Sequence, residues 1–402
     1  MAHVASSISL GPSDQQGKKL SWRANGYGAI FRAMIKTLLF MMFGLGVGAV
    51  AGCDDKPTPK KLDAPKVETP VAAPTGVQIS KLQLVAYQPL PAKMESPTHP
   101  STDDKVNLGR QLYFDNRISK GQEISCNTCH DLAKFGAEDK PVSVGHKGAK
   151  GTRNAQSVYN AAGHFAQFWD GRAADVEEQA QKPITNAIEM GMTDDKHAVA
   201  VLKSIPDYEA AFKKAFPDAK GDPVTLGNLG EAIGAFERGL VTPGRWDKFL
   251  GGDQAALTDD EKKGFLKFVE VGCPACHLGP YLGGSSFQKL GLIKPWPDLK
   301  DKGRAEVTKQ KPDEFMFKVP SLRNVEKTAP YMHDGSVATL DKAVSMMALH
   351  QNGRELKDDE VASIVTFLKV LTGDPNTTPG KEYITAPALP KNGPKTPKPD
   401  KK

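Results

Sequence analysis

Residues 126–130 are CNTCH and residues 273–277 are CPACH. Each stretch holds two cysteines separated by two residues and followed at once by a histidine, which is the attachment motif of c-type haem. Two thiols at this spacing can bond to the two vinyl groups of the porphyrin, and the adjacent imidazole then binds the iron. The predicted haem-bonding cysteines and proximal ligands are Cys126, Cys129 and His130 in the first motif, and Cys273, Cys276 and His277 in the second. The sequence therefore predicts two covalently bound c-type haems.

Cysteine pairs of this kind have other uses, namely a thioredoxin-like redox pair, a zinc ribbon or disulfide bonds. A redox pair does not require the histidine that follows each motif, and a zinc ribbon does not require export from the cytoplasm. The chain has five cysteines, and the fifth, Cys53, lies in a different kind of motif. Two complete motifs in an exported chain favour haem over these alternatives.

A predicted export signal precedes Cys53. Residues 38–50 (LLFMMFGLGVGAV) are apolar and follow the basic residues Arg32 and Lys36. A transmembrane helix needs about 20 apolar residues, so this shorter run is typical of the hydrophobic region of a secretory signal. We therefore expect the mature protein in the periplasm.

The apolar run ends in VAGC at residues 50–53, which resembles a bacterial lipobox. This similarity predicts a lipid on Cys53 that tethers the protein to the inner membrane. The alternative is an ordinary signal with an incidental cysteine, because small residues before the cleavage point are common to both signal types. Met34 is an alternative start that leaves a compact signal.

Positive charge is concentrated at the two ends of the chain. The net charge is +6, but residues 54–380 contain 42 basic and 44 acidic residues. Proteins that bind nucleic acids concentrate positive charge on the folded module. This distribution argues against a nucleic-acid partner.

Apolar residues recur at helical spacing through the body of the chain. Leu226, Leu229 and Ile233 predict one amphipathic helix, and residues 364–371 predict another. Thr258 followed by Glu261 predicts a capping box at the start of a third. Because no long alternating strand pattern is present, we predict an all-α fold. It consists of two tandem cytochrome c-like domains, each with one covalently bound c-type haem, joined by long irregular connections.

Composition and motifs together predict five segments along the chain. They are the export signal (1–53), a linker rich in Pro and Lys (54–81), the first haem domain (82–240), the second haem domain (241–375) and an extended, partly disordered tail (376–402).

Six stretches of the body resemble the bacterial di-haem cytochrome c peroxidases, and the resemblance runs from about residue 105 to residue 373. They are ISCNTCH (124–130), SVGHK (143–147), FWDGR (168–172), NAIEM (186–190), LRNVEKTAPYMH (322–333) and AVSMM (343–347). The resemblance implies an enzyme that reduces hydrogen peroxide with electrons from a small cytochrome c or a copper protein. It also implies a homodimer.

In this family the first haem has the lower potential and is the peroxidatic one. The resemblance implies that His146 is its distal ligand in the oxidised resting state, and that His146 leaves the iron when the other haem is reduced. Glu189 corresponds to the catalytic carboxylate that moves a proton between the peroxide oxygens, and Gln179 to a neighbour that orients peroxide. The alternatives are a surface histidine in a loop, and a glutamate and a glutamine on a helix surface.

The second haem transfers electrons in this family. The resemblance implies Met347 as its distal ligand, with the adjacent Met346 as the alternative, because a thioether ligand raises the reduction potential. Trp169 corresponds to a tryptophan that lies between the haems and shortens the gap for electron transfer. Related di-haem maturases have a tyrosine in place of the methionine, and residues 340–352 contain no tyrosine.

The resemblance also implies one calcium ion near the haem interface. The matching residues are Asn154, Thr328 and Pro330. Three arginines are predicted either to contact haem propionates or to form structural ion pairs, namely Arg172, Arg304 and Arg323. The alternatives to a peroxidase are a plain di-haem electron carrier and a di-haem maturase.

Overall fold

Residues 76–398 of the chain are described here by a computed structural model. The predicted export signal, Cys53 with its predicted lipid, and most of the predicted linker lie outside the described residues. None of the helices within the described range combines the length and the apolar character that crossing a membrane requires.

The described residues fold mainly into helices, which confirms the predicted helical class. In chain order these are α1 (Lys81–Leu84), α2 (Asp103–Phe114), α3 (Cys126–Cys129), α4 (Val176–Thr185), α5 (Asp195–Lys203), α6 (Pro206–Ala215), α7 (Leu226–Glu237), α8 (Arg245–Leu250), α9 (Asp259–Val271), α10 (Ala305–Thr308), α11 (Leu340–Asn352), α12 (Asp358–Val370) and α13 (Lys381–Ile384). Two short strands, β1 (Phe287–Lys289) and β2 (Met316–Lys318), pair antiparallel with Phe287 opposite Lys318. Turns and single-turn helices connect these elements.

The predicted start of α9 is confirmed in detail. The Thr258 hydroxyl accepts the backbone N–H of Glu261 at 3.3 Å, and the Glu261 carboxylate accepts the backbone N–H of Thr258 at 2.9 Å. This reciprocal pair satisfies two donors that would otherwise be unbonded at the helix terminus. The helix ends at Gly272, which adopts the left-handed conformation.

Two helix crossings of the same kind organise the molecule. α2 packs against α7, and α9 packs against α12. A Cβ on Gly109 would lie 1.8 Å from the Ala232 carbonyl oxygen, and a Cβ on Gly264 would lie 2.2 Å from the Ser363 carbonyl oxygen. Each crossing therefore requires glycine, because any side chain would push the two helix backbones apart.

Two large hydrophobic clusters are built around these crossings. The first contains Leu112 of α2 and Phe236 of α7, both fully buried. The second contains Trp246 of α8 and Phe367 of α12, also fully buried. Burying large apolar side chains of this kind stabilises the fold by about 1.5–3 kcal/mol for each.

The contacts made by the two ends of the described chain do not follow the predicted domain boundaries. Tyr87 falls within the predicted first haem domain, but its ring packs edge-on against Trp246 of the second cluster at 5.8 Å. Tyr383 follows the predicted second domain, but its ring stacks on Phe236 of the first cluster at 4.9 Å. Each end of the described chain therefore packs against a hydrophobic cluster formed by residues that are distant from it in sequence.

The segment after α13 lies along the first half of the molecule, whereas the sequence predicts a partly disordered tail. Arg117 donates to the Pro390 carbonyl at 2.8 Å and to the Asn392 side chain at 2.6 Å. The Thr396 hydroxyl donates to the Ser204 carbonyl at 3.0 Å. Composition alone does not reveal such contacts, because they form between residues distant in the sequence.

Candidate functional site

The first motif directs its two thiols and its imidazole into one cavity. Cys126, Cys129 and His130 line a cavity of about 490 Å³. Tyr113 of α2 donates a hydrogen bond to the His130 carbonyl at 2.6 Å. α3, which carries both cysteines, is therefore tied to the helix that crosses α7.

The chemistry of these side chains fits covalent haem better than zinc. Burial raises the pKa of the Cys129 thiol to about 11 and raises the pKa of Cys126 further, so both are neutral thiols. Burial also lowers the pKa of His130, which favours the neutral imidazole that binds iron. Among residues 76–398, no group of three potential metal-ligating atoms close enough to share an ion includes a cysteine.

The far side of the first cavity carries the predicted catalytic groups. Glu189 and Gln179 both line it. Burial raises the pKa of the Glu189 carboxyl, while the charge of Arg172 opposes that rise. Arg172 is held by stacking on the Phe168 ring, with its guanidinium carbon 3.5 Å from the ring centroid. A carboxyl whose pKa is raised in this way holds a proton more readily than an ordinary glutamate and can both accept and return it.

The structure does not bring His146 into this cavity. Its Nδ1 lies 2.9 Å from a carboxylate oxygen of Glu123, its ring lies against Gly191, and it is not among the residues that line the cavity. The same Glu123 oxygen accepts the backbone N–H of Lys147 at 3.2 Å. Glu123 thus holds the imidazole outside the cavity lining, and the role of His146 as a distal ligand stays a prediction.

One wall separates the first cavity from a second one. Residues 154–157, His164, Trp169 and Lys318 line both cavities. The Trp169 indole N–H donates to the Asn154 carbonyl at 2.9 Å, which fixes the orientation of the ring. Trp169 therefore belongs to the wall that the two cavities share.

The second motif presents its imidazole in a defined orientation. Cys273, Cys276 and His277 line the second cavity, of about 240 Å³. The His277 Nδ1 lies 2.9 Å from the Leu282 carbonyl oxygen. A proton on Nδ1 donated to this carbonyl leaves Nε2 as the metal-binding atom. Burial lowers the pKa of His277, which again favours the neutral imidazole.

One face of α11 supplies the opposite wall of the second cavity. Ala343, Met347 and Gln351 line it at intervals of one helical turn, whereas Met346 does not. Met346 and Met347 both pack against a small hydrophobic cluster of Trp296, Val337 and Ala343. Their positions favour Met347 over Met346 as a ligand, because its side chain faces the cavity that contains His277.

The predicted calcium residues share one region. Asn154, Thr328 and Pro330 all line the second cavity. The Asn154 side-chain amide donates to the carbonyls of Lys140 at 2.9 Å and Pro141 at 3.2 Å. In this orientation the NH2 group of the Asn154 side chain holds the turn at residues 140–141.

The three predicted arginines differ in their surroundings. Arg323 is buried and forms a two-point ion pair with Asp247 at 2.7 and 2.9 Å, and it also lines the second cavity. Arg172 lines the first cavity and bonds Asp170 at 3.1 Å. Arg304 lies over the Phe287 ring at 4.0 Å.

Sequence reasoning missed four polar residues of this region. They are Glu123, His164, Glu237 and Lys318. A pattern marks one of them, since Glu237 follows Leu229 and Ile233 at four-residue intervals on the buried face of α7. The others have no such mark, because their positions depend on contacts between distant segments.

Comparisons with known proteins agree on one family. A family model described as di-haem cytochrome c peroxidase matches residues 103–255. The cytochrome c551 peroxidase of Nitrosomonas europaea is 48% identical over 279 residues, which cover 68% of this chain and 82% of that protein. The cytochrome c551 peroxidase of Pseudomonas aeruginosa is 44% identical, with 78% of this chain and 90% of that protein covered.

More distant relatives are also similar over most of the chain. The methylamine utilization protein MauG of Methylorubrum extorquens is 32% identical, with 79% of this chain and 92% of that protein covered. A crystal structure of a MauG-like protein associated with microbial copper homeostasis superposes with a TM-score of 0.64 at 29% identity. It covers 74% of this chain and 95% of that one.

Proposed function

Because the chain belongs to the di-haem cytochrome c peroxidase family, we propose that it is a periplasmic enzyme that reduces hydrogen peroxide to water with two electrons from a small redox donor. The overall reaction consumes one peroxide, two protons and two electrons and yields two waters. The observation that carries the proposal is the partly buried Glu189 carboxyl, which lines the same cavity as Cys126, Cys129 and His130.

Each motif would hold one c-type haem, the first through Cys126 and Cys129 and the second through Cys273 and Cys276. When bound, the haems supply the redox centres that accept electrons from the donor and pass them to peroxide. His130 and His277 would bind the two irons. Met347 would be a further ligand of the second iron, since it lines the same cavity as His277.

Glu189 acts on peroxide as a proton carrier. Its carboxylate takes the proton from one peroxide oxygen and delivers it to the other, which leaves as water when the O–O bond breaks. The remaining oxygen takes up two electrons from the donor and two protons and becomes the second water. Gln179 orients peroxide by hydrogen bonding from the wall formed by α4. Burial of this region limits competing protons from bulk water and keeps the carboxyl pKa raised.

His146 controls access to the first cavity. With its imidazole bonded to Glu123, peroxide can reach the space beside Glu189 and Gln179. If the imidazole turned inward and bound the iron, that space would close. An electron carrier would have no use for a carboxyl that lines the haem cavity and whose pKa is raised, and this is why we favour the peroxidase.

Three further features belong to the same proposal. They are a calcium ion bound near Asn154, Thr328 and Pro330, a lipid on Cys53 and a homodimer. Metal analysis after dialysis against a chelator tests the first, mass spectrometry of the mature protein the second, and light scattering in solution the third.

The function is tested with protein exported by a host that attaches c-type haem. Two haems per chain are expected from the alkaline pyridine spectrum. Rapid mixing of the reduced protein with peroxide and a reduced cytochrome c or copper protein should oxidise two donors for each peroxide. A protein with two haems that leaves the donor reduced would be an electron carrier instead.

A further inference from the structure

Lys318 is a buried lysine whose ammonium is not matched by an acid. Its side chain is only 1% exposed at the end of β2. Its Nζ lies 3.5 Å from Nδ1 of His164, and among the ion pairs of residues 76–398 none involves Lys318. An ammonium buried without an anion is strongly unfavourable, so lysines in this setting bind an anion or lose their proton.

The buried arginines among the described residues, by contrast, are neutralised by acids. Arg238 bonds the Glu177 carboxylate at 2.7 Å, and Arg323 bonds Asp247 at 2.7 Å. Lys262 is also buried, but its ammonium lies near the Phe249 ring at 5.9 Å and it does not line either cavity. Arg323 also lines the second cavity, but its charge is already matched by Asp247. Lys318 therefore differs from the arginines, which have acid partners, and from Lys262, which lines neither cavity.

The position of Lys318 is fixed by its backbone. Its N–H donates to the Trp169 carbonyl at 2.7 Å, and β2 pairs it with Phe287 of β1. Its side chain lines both cavities, as does that of His164. The Nε2 of His164 is buried and has no hydrogen-bond partner among the described residues. Two polar side chains thus converge on the wall between the cavities with bonding capacity left for a ligand.

Burial also lowers the pKa of Lys318 to about 7 in the absence of an anion. A carboxylate placed beside the ammonium would reverse this effect and keep the lysine charged. The ligand for which the two cavities are built carries carboxylates of its own, in the form of haem propionates.

We propose that Lys318, with His164 beside it, binds a haem propionate at the wall shared by the two cavities, and that its charge raises the reduction potential of the haem to which that propionate belongs. The inference rests on the proposed attachment of haem to the two motifs. Reduction adds negative charge to a haem, so a nearby ammonium stabilises the reduced form. Lys318 is then a positioning residue that favours electron flow across the wall without touching peroxide.

The test compares reduction potentials in full-length, haem-loaded protein. Spectroelectrochemical titration resolves the two haems in the wild type and in the Lys318→Met, Lys318→Gln and Lys318→Arg variants. The two neutral variants should lower the midpoint potential of one haem by about 59 mV or more, which is a tenfold change in its reduction equilibrium. Lys318→Arg keeps the charge and should stay near the wild-type value.

Lys262→Met is the matched control, because it removes a buried lysine remote from both cavities and should leave both potentials unchanged. The pyridine spectrum checks that each variant carries two haems, and Lys318→Gln replaces Lys318→Met if the latter does not fold. Unchanged potentials in a neutral variant with both haems attached would overturn this inference alone. A wild-type protein without covalent haem would overturn the proposed function and this inference together.

Discussion

The two cavities use the same kind of attachment motif but differ in the charges on their walls. Four carboxylates line the first cavity, those of Asp170, Glu189, Glu237 and Glu306. No aspartate or glutamate among the described residues lines the second, which has Met347 opposite His277. The first cavity is also about twice as large, at about 490 Å³ against about 240 Å³.

The difference in lining charge and volume suits the first cavity to proton transfer and the second cavity to electron storage. A cavity that rearranges peroxide needs a group that carries protons and room for the substrate, and the first cavity has both. A cavity that only stores and passes an electron works best when nothing in it changes protonation. The thioether of Met347 cannot be protonated in water, so the second cavity suits that role.

The largest effect is expected when the first cavity loses its proton carrier. Glu189→Gln keeps the shape of the side chain but removes its basicity, so peroxide-dependent donor oxidation should fall by roughly 10²–10⁴-fold. Steady-state kinetics with excess reduced donor measures this loss, while the haem spectra should stay intact. Glu306→Gln is the matched control, since Glu306 also lines the cavity but bonds Arg153 at its surface, and it should change the rate little. Equal losses in the two variants would contradict the role of Glu189.

The next effect concerns the second cavity. Met347→Ala should remove the sulfur ligand and lower the potential of the second haem, shifting its reduction equilibrium by more than tenfold. Met346→Ala removes the adjacent thioether, which lies outside the cavity lining, and should leave that potential near its wild-type value. Redox titration of both variants decides between the two methionines. A larger shift in Met346→Ala would assign the ligand to Met346.

A smaller effect is expected at the entrance of the first cavity. Glu123→Gln replaces the charged acceptor of the His146 imidazole by a neutral amide, and hydrogen bonds to charged groups are the stronger ones. The population of the conformation in which His146 is turned outward should fall by about tenfold. Electron paramagnetic resonance of the half-reduced protein should then show more of the first haem with two imidazole ligands. An unchanged proportion would mean that Glu123 does not hold His146 outward.

The two cavities also show which features the sequence could predict and which it could not. The haem motifs, the capping box at Thr258 and the helix that contains Leu229 and Ile233 depend on neighbours within a few residues, and the structure has each of these local elements. The direction of His146 depends on Glu123, which precedes it by 23 residues. Local periodicity carries no information about such a contact.

Lys318 and the tail illustrate two further limits. A lysine in a short strand usually faces solvent, and only the approach of His164 and Trp169 from distant segments buries it. The residues around Pro390 have the composition of a disordered tail, but Arg117 bonds them to the first half of the molecule. Both outcomes depend on tertiary contacts that outweigh local composition.

The smallest effect is expected on stability, through Glu237, a carboxyl of the first cavity to which we assign no catalytic role. Glu237 is 4% exposed, and burial raises its pKa to about 8, with the negative charge of Glu177 adding to the rise and Arg238 opposing it. Tyr113 of α2 and Cys126 of α3 also face it. The folded protein therefore binds more protons than the unfolded chain between the ordinary pKa of a glutamate and about 8.

Stability should consequently fall as the pH rises through this window, by about 1.4 kcal/mol for each pH unit from this group. Glu237→Gln does not titrate, so its free energy of unfolding should exceed that of the wild type increasingly as the pH rises, and the gap should stop widening above the raised pKa. Denaturant unfolding of the two haem-loaded proteins at a series of pH values measures the gap. A gap that is independent of pH would show that Glu237 is already ionised in the folded protein, and the contrast between the two cavities would then rest on Glu189 alone.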